Sequence, residues 1–86
     1  MPTISAFFGI IIRMYYDDHA PPHFHAYYGE YSAQISIETL DVIGGSLPKR
    51  VLALAVEWAI EHRDELRADW LRAGEHQPLL SIEPLE

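Results

Sequence analysis

The sequence predicts an α+β domain in which a small antiparallel sheet of three to five strands, an N-terminal strand plus a hairpin, is packed by one or two C-terminal helices. Three observations predict it. Apolar residues alternate at period two from the start of the chain. A Gly-Glu pair separates two runs that match position by position in polarity, and beyond residue 46 the apolar spacing becomes that of a helix. The 86 residues hold one core, divided into a mainly β part over 1–45, a helical part over 46–75 and a tail or edge strand over 76–86.

In the first extended segment Ile4, Ala6, Phe8, Ile10, Ile12, Met14 and Tyr16 share one side. Gly9, with no side chain to pack, predicts a bulge or bend that splits the segment into two shorter strands. Asp17 to Pro22 reads as a loop, because a proline pair cannot continue a central strand. Next comes the hairpin. A type II′ turn at Gly29-Glu30 places Tyr28 opposite Tyr31, Ala26 opposite Ala33 and Phe24 opposite Ile35 on one face. On the other face it pairs Tyr27 with Ser32, His25 with Gln34 and His23 with Ser36. The chain then turns near Thr39 to Asp41, and Val42 and Ile43 return before Gly44-Gly45.

Ser46 is placed to cap a helix that tolerates Pro48 in its first turn. Leu47, Val51, Leu54, Ala55, Trp58, Ala59 and His62 form its apolar stripe. Leu52, Val56 and Ile60 add a second row, so both flanks need a cover. Leu66, Trp70 and Ala73 with Leu71 continue the pattern, and the charged stretch Glu61 to Glu65 divides it into two helices, the second ending at Gly74. Pro78 and Pro84 confine Leu79 to Leu85 to a tail or an edge.

Thirteen Asp and Glu against six Lys and Arg give a net charge of -7, which opposes nucleic-acid binding; Arg13 is the only cation before Lys49. An apolar fraction of 49% excludes a disordered acidic tail. The lack of cysteine removes disulfides, thiolate metal sites and thiol nucleophiles, so a metal would rest on His and carboxylates. Neither a leader pattern nor an apolar run approaching the about 18 residues of a membrane span is present, and a cytoplasmic setting is expected. A chain this short buries only about 60% or slightly more of its unfolded surface, which implies marginal stability or help from self-association.

The chemistry concentrates between Asp17 and His25. His23 and His25 form a His-x-His pair whose side chains share one face of a strand and can converge on one ion. A third ligand from His19, Asp17 or Asp18 leaves one position open, the arrangement of a catalytic zinc or other divalent transition-metal site. Without a metal, His23, His25 and His19 supply acid and base, and Asp18 fixes a tautomer. The plainer alternative is a solvated strand face, with His23 and His25 beside Ser36 and Gln34. Tyr15, Tyr16, Tyr27, Tyr28 and Tyr31 gather near the same sheet end and could stack on bases, but no basic groove accompanies them. Trp58, Trp70, Val56 and Ile60 are the candidate anchors of a protein interface, next to an acidic rim that suits a basic partner.

The opening MPTIS with Gly9-Ile10, the block MYYDDHAPPHFHA, Gly29-Glu30-Tyr31, Ser46-Leu47-Pro48 with Arg50, and the stretch from Glu57-Trp58 to Trp70 together resemble the bacterial family catalogued as domain of unknown function 4160. The likeness spans essentially the whole chain and is most specific in Asp-His-x-Pro-Pro-His-Phe-His. It implies a small bacterial protein whose gene often neighbours that of a second small family, domain of unknown function 2442, in a toxin–antitoxin-type arrangement. It maps no catalytic residue onto the chain.

Two functions are therefore expected. The first and favoured one is an interaction module binding a small protein partner or itself, as one half of a toxin–antitoxin-like pair. The second is a small metal-dependent or histidine-based hydrolase, with RNA among its candidate substrates, using the Asp17 to His25 cluster.

Overall fold

The computed structural model describes residues 2–86 and resolves the alternation into a five-stranded antiparallel meander. Its strands are β1 (Thr3–Phe7), β2 (Ile10–Arg13), β3 (His23–Tyr28), β4 (Tyr31–Ser36) and β5 (Val42–Ser46), in spatial order β1-β2-β3-β4-β5. Helices α1 (Lys49–Glu61) and α2 (Arg63–Gly74) follow. No described helix is long and apolar enough to cross a membrane.

The β3–β4 hairpin carries all six expected pairs, from His23↔Ser36 to Tyr28↔Tyr31. Gly29 takes φ +56 while Glu30 stays out of the left-handed region, as a type II′ turn requires. Phe24, Ala26, Ala33 and Ile35 are buried in consequence, and only the tip tyrosines Tyr28 and Tyr31 of that inward set stay exposed.

The first segment departs from the expected alternation. Phe8 and Gly9, at φ +49 and +79, form a two-residue turn of the I′ kind, so β1 folds back onto β2 instead of merely bending. A second irregularity lies at Ile4: Thr3 pairs with Arg13 and Ser5 with Ile12, which leaves Ile4 as an extra, bulged residue. Bulge and reversal together shift the parity. Phe7, outside the set that shares one side in the sequence, is buried; Ala6 and Phe8, members of that set, are exposed.

The return strand also runs further than expected. Ala33↔Gly45 and Ser32↔Ser46 extend β5 through both glycines. This needs a glycine at 45, because φ is +70 and an added Cβ would lie 2.1 Å from the Ser32 carbonyl oxygen. Ser46 thus ends a strand and caps no helix. The N-cap position falls to Pro48, still extended at φ -55 and ψ 146, with no side-chain cap.

The two-helix division holds. His62, at φ -123 and ψ 24, closes α1 and opens α2, where its ring meets Glu65 and the acidic Asp64 and Glu65 complement the positive end of the helix. On the sheet's inner face the α1 residue Trp58 is fully buried, 5.4 Å from the Phe7 ring and 5.8 Å from that of Phe24. Proposed from the sequence as a partner anchor, Trp58 is the centre of the core. Helix α2 crosses the end of the sheet where β3 begins and β4 ends. There Arg63 Nε–H donates to the Ile37 carbonyl at 3.1 Å. Arg67 grips both oxygens of Glu38 at 3.0 and 2.8 Å and holds that carboxyl below the usual carboxylate range.

The last ten residues form a tail and no strand. Ile82 and Leu85 are buried, and the tail is pinned three times: Ile82 N–H to the Ile4 carbonyl at 2.7 Å, Trp58 Nε1–H to the Glu83 carbonyl at 2.8 Å, and Leu80 N–H to Asp69 Oδ1 at 2.9 Å. Val56 is half-buried, and Ile60 remains exposed.

The glycine geometry gives a contrast measurable by urea unfolding. Gly29→Ala, at an open position, should cost about 1–2 kcal/mol for its left-handed backbone. Gly45→Ala meets backbone as well and should cost about 3 kcal/mol or more. Equal losses would show that the β5 ladder relaxes around the clash.

Candidate functional site

The alternation that turns Phe24 and Ala26 toward the Trp58 core turns His23, His25 and Tyr27 to the opposite face of the sheet. The imidazole centroids of His23 and His25 lie 5.1 Å apart. The preceding loop folds back over them and brings Asp18 to both rings, with Oδ2 at 2.9 Å from His25 Nε2 and 3.3 Å from His23 Nε2. These three ligand atoms all lie within 4.8 Å of one another.

Hydrogen bonding orders the trio. His23 Nδ1 sits 2.7 Å from the Pro21 carbonyl oxygen, which can only accept, so Nδ1 carries a proton. In the neutral ring, Nε2 then presents its lone pair to the Asp18 carboxylate. Two electron-rich atoms facing each other in a site where the His23 side chain is 6% exposed call for a positive centre between them, a proton or a metal ion. A backbone carbonyl on Nδ1 with Nε2 free is also the arrangement that orients a metal-binding histidine.

Aromatic rings wall the trio. Trp70 of α2 packs 5.3 Å from His23, Tyr15 meets His25 edge-on at 4.6 Å, and Tyr27 stacks on His25 at 6.3 Å. The hydroxyls of Tyr15 and Tyr27 are hydrogen-bonded to each other. Burial, and next the bond to Tyr15, push the Tyr27 phenol up to about 12, against a smaller downward pull from Arg13, whose guanidinium lies 5.3 Å over the Tyr27 ring. Two hollows meet at Tyr15, Tyr16 and Asp18. One, of about 150 Å³, is completed by Trp70, Ala73 and Gly74. The other is a wide opening of about 580 Å³, completed by Pro2 and Asp17.

Of the residues singled out in the sequence, His23, His25 and Asp18 are brought together, whereas Asp17 and His19 are not part of the trio. Asp17 is exposed at the rim, 3.9 Å from His76, and His19 is exposed on the loop. Trp70 walls the trio, while Ile60 and Val56 lie on α1 away from it. Sequence reasoning missed the Pro21 carbonyl and the enclosing role of Tyr16 and Trp70. The signal for the first was the Pro-Pro step directly before His23; the second had none, since it depends on where α2 crosses the sheet.

A five-stranded antiparallel meander closed by two helices, with a carboxylate and two imidazoles gathered on the sheet face opposite the Trp58 core, defines a small α+β protein with a candidate cation-binding centre. The family model described as "Domain of unknown function (DUF4160)" matches residues 9–71, and the chain belongs to that family. The matched stretch contains the whole trio and both sides of the β3–β4 hairpin. No curated protein and no solved structure matches the chain.

Burial of Tyr27, together with its bond to Tyr15, sets an alkaline signature. With the phenol of Tyr27 raised in the folded chain, the unfolded chain ionises first, so its contribution to stability is intact below about pH 10 and is lost as pH rises through about 12. Tyr15→Phe should bring one late step in the tyrosinate absorbance titration back toward its ordinary position. An unchanged late step would assign the shift to burial alone.

Proposed function

We propose that this chain is a small cytoplasmic hydrolase built around a single divalent cation held by Asp18 Oδ2, His23 Nε2 and His25 Nε2. The observation that carries the reading is the commitment of His23 Nδ1–H to the Pro21 carbonyl, which leaves Nε2 aimed at the Asp18 carboxylate beside His25. Of two separations in the trio, 3.3 Å matches the about 3.3–3.6 Å edge that a tetrahedral ion with bonds of about 2.0–2.2 Å would impose, and 2.9 Å is shorter by about 0.4 Å. Two neutral imidazoles and one carboxylate suit zinc or a related transition metal.

Asp18, His23 and His25 would be the residues that hold a divalent ion, which would supply Lewis acidity and bring the pKa of water to about 7. The chain's own residues supply the rest. Asp18 lines both hollows and is the member of the trio through which the centre borders them. His23 is locked by the Pro21 carbonyl and covered by Trp70, which keeps bulk water from that side. Asp17 is a second carboxylate at the rim of the wider hollow.

A second reading keeps the chain as an interaction module, one half of a toxin–antitoxin-type pair or a homo-oligomer. It is favoured by Ile60 and Leu71, 61% and 66% exposed on α1 and α2. Its test is the solution mass of untagged protein, alone and with the product of an adjoining gene, for wild type and Ile60→Glu. A monomer that captures no such product removes it.

For the hydrolytic reading, elemental analysis and calorimetry on untagged protein should find one zinc per chain. Asp18→Asn, His23→Ala and His25→Ala should each weaken binding by about a hundredfold or more, and His19→Ala and Asp17→Asn by less than about threefold. A folded protein that takes up no stoichiometric zinc, manganese, iron or nickel overturns it.

A further inference from the structure

The geometry points to an uncharged amide or ester bearing a flat ring as the substrate of this centre, an inference that rests on the hydrolytic reading and goes on to exclude a phosphodiester. The smaller hollow carries the size argument. Its volume of about 150 Å³ is that of a cavity that accepts a benzene ring, and Tyr15, Tyr16 and Trp70 offer it aromatic walls. Ala73 and Gly74, the smallest side chains of α2's last turn, leave that space open. Asp18 lines the hollow, so a ring seated there would bring its attached carbonyl next to the carboxylate of the trio.

Charge argues the rest. Neither hollow is lined by Lys or Arg, and Asp17 and Asp18 face them. Four of the five arginines are engaged elsewhere: Arg13 with Thr3 and the Tyr27 ring, Arg63 with the Ile37 carbonyl, Arg67 with Glu38, and Arg72 with Asp69; the fifth, Arg50, is exposed in the first turn of α1 and lines neither hollow. Phosphoryl transfer depends on cationic side chains or several metal ions to neutralise the transferred group, and nucleic-acid binding depends on phosphate contacts. Attack at a neutral carbonyl needs neither. In that step the oxygen of water bonds to the acyl carbon, the C–N or C–O bond breaks with its electron pair leaving on nitrogen or oxygen, and a water proton completes the amine or alcohol.

The test is a nuclear magnetic resonance titration of the full metal-free chain with benzamide, acetamide and phenyl phosphate, repeated on Gly74→Leu. A Cβ at Gly74 meets no atom within 4 Å and its φ is not positive, so this variant should fold while its side chain fills the hollow. Benzamide is expected to shift the Trp70 indole and the Tyr16 ring with at least about tenfold higher affinity than acetamide, and phenyl phosphate to leave them unmoved. Gly74→Leu should abolish that preference without altering zinc binding. Equal affinity for benzamide and acetamide, or stronger binding of phenyl phosphate, overturns the inference. Zinc added to the same samples separates the two claims: ring binding without zinc binding sinks the hydrolytic reading, and zinc binding without ring preference sinks only the substrate class.

Discussion

Side-chain parity along β3 is the constraint from which the molecule follows. The Gly29 turn sets the β3–β4 register, and a slip of one residue would drive His23 and His25 into the core while exposing Phe24 and Ala26. Phe24 is the inner-face ring on which Trp58 rests, so the placement of α1 depends on the same register. Burial of side chains such as Phe24 and Ile35 stabilises by about 1.5–3 kcal/mol each, enough to hold the register in a domain whose whole stability is of order 5–15 kcal/mol. The candidate site is the reverse side of this alternation. Its two imidazoles need no alignment of their own.

Three segments nevertheless have to meet before the imidazoles become a centre. The loop before β3 contributes Asp18 and the Pro21 carbonyl, and β3 contributes both rings. Helix α2 contributes Trp70, and its position is fixed by Arg63 on the Ile37 carbonyl and Arg67 on Glu38. Arg67 and Glu38 are exposed, so their pairing directs where the helix lies more than it adds stability. The energetic weight sits in the core beneath.

The hairpin was legible because six pairs had to agree at once, and polarity agreed at every one. The two helices were legible because the charged run around His62 interrupts the apolar stripe. What escaped was parity in the first segment, where Phe8 and Gly9 reverse the chain and Ile4 bulges; a single glycine announces a break without saying that the chain folds back. The extent of β5 escaped for a related reason. Gly44 and Gly45 read as a terminator, yet Gly45 serves the ladder by letting backbone approach the Ser32 carbonyl. Within the site, the pairing of His23 with His25 could be read from spacing alone. The choice among Asp17, Asp18 and His19 depends on how the proline loop turns, which spacing does not encode.

The tail gives the domain limits that differ from those of its family. The family match covers 9–71, whereas β1 and the last ten residues lie outside it and hold each other through Ile82 and Ile4. A chain trimmed to the matched stretch would expose β2 as a new open edge, ready to recruit foreign strands. It would also strand the Trp58 indole N–H in the core without its Glu83 acceptor, a loss of about 1–3 kcal/mol. The family boundary therefore marks shared sequence, and the unit that folds and keeps to itself is larger.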